Sequence, residues 1–188
     1  MIFNFKEEKP VIEVEREKTF LLKVLPTDLS ACRFEIISDA YIPVNASHPI
    51  LRLRHRGDRY ELTKKVLMDG SDASRQTEHT IRLTVEEGKA FDKLEAKRSV
   101  KRRYYCVVDG YSAELDLYQD ELSGLALIDF EFDGDEDMAK LAMPPICLAD
   151  VTQEEALAGG MLAGKSYADL KDVLEKYDYK PLFLKEDV

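Results

Sequence analysis

Charged side chains recur along this chain in same-sign pairs two residues apart: Glu15 and Glu17, Arg52 and Arg54, Lys101 and Arg103, Glu114 and Asp116, Asp129 and Glu131. Residues two apart on a strand leave the same face of a sheet, so each pair marks one face of one strand. The residues around them are largely apolar, as with Leu125, Leu127, Ile128, Phe130 and Phe132 around Asp129 and Glu131. A solvated outer face accounts for any single pair, because charged residues are mostly exposed. It accounts poorly for five pairs on strands this apolar. If the sheet curves into a barrel, the charged parity faces an enclosed space, where carboxylates require cations and basic groups require anions.

The strands themselves are legible from alternation. Residues 11–23 place Glu13, Glu15, Glu17 and Thr19 on one parity and Val14, Arg16, Lys18 and Phe20 on the other. Residues 50–56 and 60–66 flank a Gly57-Asp58 turn signal and predict a hairpin. A polar stretch at 69–74 leads into a strand at 76–83, and Thr84 with Glu86 and Glu87 predicts a capped helix that carries Phe91 and Leu94 and ends near Ala96. Strands follow at 100–108, 112–118 and 125–132, separated by Asp109-Gly110 and Ser123-Gly124. Helical signals occupy 135–141, a segment headed by Thr152, and 167–176. Consecutive hairpins with peripheral helices predict an α+β protein on a largely antiparallel sheet.

At 188 residues, with 45% hydrophobic and 34% charged, the chain predicts one globular domain over residues 8–184 with tails at 1–7 and 185–188. No run approaches the roughly 20 apolar residues of a membrane span, and the N-terminus has no apolar signal core, so a cytoplasmic location and no membrane partner are expected. A net charge of -10 argues against a broad nucleic-acid footprint. Three cysteines, Cys32, Cys106 and Cys147, are far apart and odd in number, which speaks against a disulfide framework or zinc site and predicts reduced, mostly buried thiols. Oligomeric state stays open between monomer and homodimer. A triphosphate with a divalent metal meets the demands of both charge sets at once, since carboxylates take hard cations while Arg and Lys neutralise phosphate oxygens.

In this order the motifs resemble the CYTH superfamily, also called triphosphate tunnel metalloenzymes. The resemblance covers nearly the whole chain: an ExExK-like opening at Glu15-Arg16-Glu17-Lys18-Thr19-Phe20-Leu21, an arginine strand at Leu51-Arg52-Leu53-Arg54, Leu62-Thr63-Lys64-Lys65, Glu78, then Lys101 and Arg103, Glu114 and Asp116, Asp129 and Glu131. It implies an eight-stranded antiparallel β-barrel, a tunnel, with peripheral helices. It implies that Arg52, Arg54, Lys65, Lys101 and Arg103 grip a triphosphate-containing small molecule, with Lys165 reaching one mouth. Glu15, Glu17, Glu114, Asp116, Asp129 and Glu131 would hold Mg²⁺ or Mn²⁺ or its water, with Glu78 a further tunnel acid. The activity implied is metal-dependent hydrolysis of inorganic triphosphate or an organic triphosphate such as thiamine triphosphate. The alternatives are a class IV type adenylate cyclase and a triphosphate-binding module with weak or no hydrolysis.

Two residues depart from the family pattern. Thr19 stands where the family's lysine helps activate water, and Lys18 reaches the interior only through a bulge. Thr80 stands where an acid would complete the pair begun by Glu78. The segment Gly159-Gly160-Met161-Leu162-Ala163-Gly164-Lys165-Ser166 matches a phosphate-loop pattern, but neither a buried parallel strand before it nor a βαβ unit around it is predicted. His48, His55 and His79 lack metal-ligand spacing. The acidic run at 133–137 reads as a turn and helix start.

Overall fold

All seven strands read from alternation form, and two more join them. In the computed structural model, which describes residues 11–68 and 70–184, the strands are β1 (Val11–Leu22), β2 (Arg33–Ile42), β3 (Leu51–Arg56), β4 (Arg59–Leu67), β5 (Arg75–Leu83), β6 (Lys97–Val108), β7 (Tyr111–Tyr118), β8 (Ala126–Glu131) and β9 (Cys147–Asp150). The expected tails, the start of the expected domain at residues 8–10, and Asp69 lie outside the described residues. Neighbours run β5-β4-β3-β2-β6-β7-β8-β1, and β1 pairs back onto β5, which closes an eight-stranded antiparallel barrel; β9 adds outside it along Phe20–Leu22. The Asp109-Gly110 hairpin is tight because both residues are left-handed, at φ 52° and 86°.

Among the described residues four short α-helices decorate the barrel: α1 (Val85–Phe91), α2 (Asp135–Lys140), α3 (Gly159–Leu162) and α4 (Lys171–Glu175). The Thr84 hydroxyl accepts from the Glu87 N–H while the Glu87 carboxylate accepts from the Thr84 N–H, so α1 starts where the sequence places it. It stops at Phe91 rather than near Ala96, because the chain turns at Asp92 to begin β6 at Lys97. Thr152 does not head a helix. Its hydroxyl donates to Asp150 and accepts the Thr19 N–H, a side-chain turn that competes with a cap, and a 3-10 turn (Glu155–Leu157) and α3 follow instead. The last expected helix is a 3-10 turn (Tyr167–Leu170) running into α4. No helix among the described residues is long and apolar enough to cross a membrane.

Apolar parity and charged parity separate along the middle of the barrel wall in β1, β6, β7 and β8. Phe20, Leu22, Tyr104, Leu115, Ile128 and Phe130 point out of the barrel and pack under Leu29, Met138, Leu141 and Cys147. On the opposite flank Ala40, Leu53 and Tyr60 pack with Phe91 of α1 and Ala96. A third cluster closes one end. Leu21, Leu127 and Tyr118 share the inward parity of Thr19, Asp129 and Asp116, and they pack against Leu157, Leu162, Leu170 and Leu174 from the C-terminal segments. The barrel therefore has an apolar floor, and its other end is ringed by polar residues.

Candidate functional site

Cross-barrel ion pairs show that the charged parity is the inner one. Lys65 on β4 pairs with Glu15 and lies 3.6 Å from Glu17, both on β1, although β4 and β1 are not neighbours; Glu78 on β5 is 3.7 Å away. Arg103 on β6 grips Asp116 on β7 with two parallel bonds of 2.7 and 2.6 Å, pairs with Glu114, and lies 3.6 Å from Asp129 on β8. Lys101 also pairs with Asp116. Rungs place Glu17 opposite Glu131, Thr19 opposite Asp129, and Glu114 opposite Asp129. The predicted set of inward acids and bases is thus brought into one chamber, with Lys165 the exception. Lys165 follows Gly164, whose N–H bonds Arg98 O beside the start of β6, on the C-terminal segment that covers the floor end.

Among the expected phosphate ligands, Arg52 is distinct. Its Nε is buried without a hydrogen-bond partner among the described residues, whereas Arg54, Lys65, Lys101 and Arg103 are each held by a carboxylate. Thr19 sits at the inward position predicted for it and donates to Asp129 Oδ1 at 2.7 Å. No bulge interrupts β1 between Glu17 and Leu21, so Lys18 stays on the outer face, lining a cavity of about 410 Å³ with Asp150, Thr152 and Glu154. Thr80 uses its hydroxyl to donate to Glu78 at 2.7 Å and shares a second bond with Thr63 at 2.8 Å. The phosphate-loop pattern is no loop here, since Gly159 opens α3 directly. His55 stacks on Tyr60 at 4.1 Å, and His48 contacts Glu155 at 2.9 Å.

Strand β2 supplies inner residues that pairwise charge spacing misses. Asp39, 2% exposed, accepts two bonds from Arg54 at 2.8 and 2.7 Å. Glu35 accepts from Tyr105 and Arg59 at the open mouth, near Arg56. The two acids are four residues apart with Ile37 between them, so no i, i+2 pair announces the strand. The signal that exists is inward Glu35, Ile37, Asp39 and Tyr41 against outward Phe34, Ile36, Ser38 and Ala40.

The inner acids fall into two electrostatic classes. Burial pushes the Asp116 carboxyl up, but the Arg103 and Lys101 charges outweigh it and bring the carboxyl down to about 2. Arg54 does the same to Asp39, which is held far below its ordinary range. Glu17 goes the other way: burial, reinforced by Glu15 and Asp129, prevails over Lys65 and lifts it to about 8. Burial and the neighbouring Glu114 and Glu15 lift Glu131 to about 7, and burial with Asp116 raises Asp129. Lys101 is lowered by burial and by Arg103.

A hard divalent ion suits the second class by donor chemistry, because the carboxylates crowded on β1 and β8 outnumber the cations beside them: Glu15 and Glu17 share Lys65, and Asp129 lies 3.6 Å from an Arg103 already gripped by Asp116. Among the described residues no three His, Cys, Asp or Glu groups converge as a formed metal site. Asp116 does not fit the expected metal set well, being fully engaged by two cations.

No family model and no curated protein matches the chain. Solved structures do. A crystal structure of the hypothetical protein NE1496 is similar at TM-score 0.59 and 26% identity over 81% of this chain and 99% of that one. A structure of the inorganic triphosphatase NE1496 is similar at TM-score 0.58 and 25% identity over 80% and 95%. A protein of Bacillus halodurans, bh2851, provisionally named an adenylate cyclase, shares the fold at TM-score 0.52 and 12% identity over 93% and 95%. With the strand motifs in order and the barrel closed around them, the chain has the CYTH-type tunnel fold.

Proposed function

We propose that this chain is a divalent-metal-dependent phosphohydrolase that holds a triphosphate inside its barrel. The observation that carries the reading is the inward arc of buried Arg54, Lys101 and Arg103 with half-buried Arg52 and Lys65 on β3, β4 and β6, set across the lumen from the carboxylates of β1 and β8. Cations so enclosed favour a compact, multiply charged anion, and a linear triphosphate offers oxygens along its length. Similarity to the inorganic triphosphatase NE1496 supports the same substrate class.

In this reading Arg52, whose Nε lacks a partner, meets the incoming phosphate without first releasing a carboxylate. Arg54 stays oriented by Asp39, and Lys101 and Arg103 exchange part of their bonding to Asp116 and Glu114 for phosphoryl oxygens. These groups offset charge on the phosphoryl oxygens as the bridging bond breaks. Glu17, Asp129 and Glu131 are the proposed Mg²⁺ or Mn²⁺ ligands, joined by Glu15 and Glu114; bound there, the ion polarises phosphoryl oxygens. Asp116 is better placed as a partner of the two cations. Lys165, at the floor end, is the proposed outlying phosphate contact.

One observation favours a second reading, a triphosphate-binding module with little hydrolysis: the Thr19 hydroxyl is bonded to Asp129 and offers no basic group at the position of the family lysine. One experiment separates the two. Phosphate release from inorganic triphosphate, thiamine triphosphate and ATP is measured with Mg²⁺ and with Mn²⁺, beside calorimetric binding. Turnover that vanishes on chelation supports the hydrolase, and tight binding without turnover supports the module. Arg52→Ala should weaken triphosphate binding roughly 10- to 100-fold, the loss of a charge-assisted contact. Unchanged affinity would place the phosphate elsewhere. Under the hydrolase reading Thr19→Lys raises turnover; an unchanged or lower rate counts against the role given to that position.

A further inference from the structure

Two cysteines that are 74 positions apart in the chain meet at the open mouth. The outermost rung between β2 and β6 is Arg33 opposite Tyr105, so Cys32 and Cys106 occupy the next rung outward. Their Sγ atoms lie 2.8 Å apart. Directly opposed residues of an antiparallel pair have Cα atoms about 4.5–5.5 Å apart, within the roughly 4.4–6.8 Å that a disulfide spans. Neither thiol is sealed: both are half-buried and line a cavity of about 460 Å³ with Arg33, Tyr105, Glu114 and Glu131. Cys147 is buried instead, so the expectation of mostly buried thiols holds for that cysteine alone.

We propose that Cys32 and Cys106 are a reversible thiol–disulfide site, closed by exchange with a small disulfide such as oxidised glutathione. The Cys106 thiol donates to Cys32 Sγ, and burial together with that bond pushes Cys106 up to about 12. Cys106 is therefore the thiol that keeps its proton, and Cys32 leads. Its thiolate attacks one glutathione sulfur, forms a mixed disulfide and expels the other glutathione as thiolate. Cys106 then gives up its proton to that thiolate or to water and attacks Cys32 Sγ, releasing the second glutathione. Two protein thiols are oxidised by two electrons, and one glutathione disulfide is reduced to two thiols. The bridge staples the first residues of β2 to the last of β6, on the rim beside Glu114 and Glu131.

The site stands apart from the triphosphate reading and fails or survives independently of it. The full chain is incubated with oxidised glutathione, denatured, alkylated and read by intact and peptide mass spectrometry. The expected result is one alkylated thiol, on Cys147, and a linked peptide joining Cys32 to Cys106 that reductant dissolves. Cys147→Ser should still lose two hydrogens on oxidation, and Cys32→Ser should not. Should Cys32→Ser misfold, the Cys147→Ser result and the linked peptide decide. Three alkylated thiols, a glutathione adduct that stalls on Cys32, or a bridge to Cys147 would each overturn the proposal.

Discussion

Removing the carboxylate of Asp39 should destabilise the empty barrel more than any change at a surface charge. Asp39 and Arg54 are 2% and 8% exposed and joined by two bonds of 2.8 and 2.7 Å. At an effective dielectric of about 20, charges about 4 Å apart attract by about 4 kcal/mol. Asp39→Ala removes that attraction and strands a buried guanidinium among Arg52, Lys101 and Arg103, for an expected loss of about 3–5 kcal/mol. The assay is urea unfolding in buffer free of phosphate, which would neutralise Arg54 and mask the effect. With a slope of about 1–3 kcal/mol per molar urea, the midpoint should fall by at least about 1 M. Asp39→Ala with Arg54→Met should recover most of the loss, since replacing a buried pair outright is often close to neutral. A loss under about 1 kcal/mol, or a double variant no more stable than the single, would refute the argument that the pair is a buried charge couple.

Acidity should destabilise less than mild alkalinity over the window set by the crowded acids. Glu17, at about 8, and Glu131, at about 7, hold protons in the folded chain that the unfolded chain has released above about 4.5, so stability falls as pH rises from there to about 8. Differential scanning calorimetry from pH 5 to 8 should show Tm falling, with the slope reduced by Glu17→Gln and by added Mg²⁺; a Tm that rises across the window would contradict the crowding. Gly88→Ala should destabilise although helix propensity alone would favour alanine by about 1 kcal/mol. Its Cβ would meet Tyr60 Cγ at 2.1 Å, at the root of a ring stacked on His55, and overpacking of this kind costs about 1–3 kcal/mol; a neutral or stabilised variant in urea unfolding would show that α1 rides freely on β4.

Strand parity carried most of the fold because the charged and apolar faces of β1, β3, β6, β7 and β8 are chemically unlike. Where that contrast fails, so does the reading. In β2 the inward face has Ile37 between its acids and Tyr41 after them, and the outward face contains Ser38, so neither parity is marked by a run of charge. The four-residue β9 is too short to alternate visibly. The sequence-wide motifs also name which side chains face inward without saying which of them face each other. Asp116 and Asp129 are alike in sequence as inward aspartates of acidic i, i+2 pairs, yet the barrel's closure sets Asp116 between Lys101 and Arg103 while Asp129 is left with the Thr19 hydroxyl and Arg103 at 3.6 Å. One carboxyl is driven down to about 2 and the other is raised. That division depends on strands far apart in the chain arriving side by side, and it is why a list of inward acids does not by itself distinguish a partner for phosphate-gripping cations from a candidate ligand for metal.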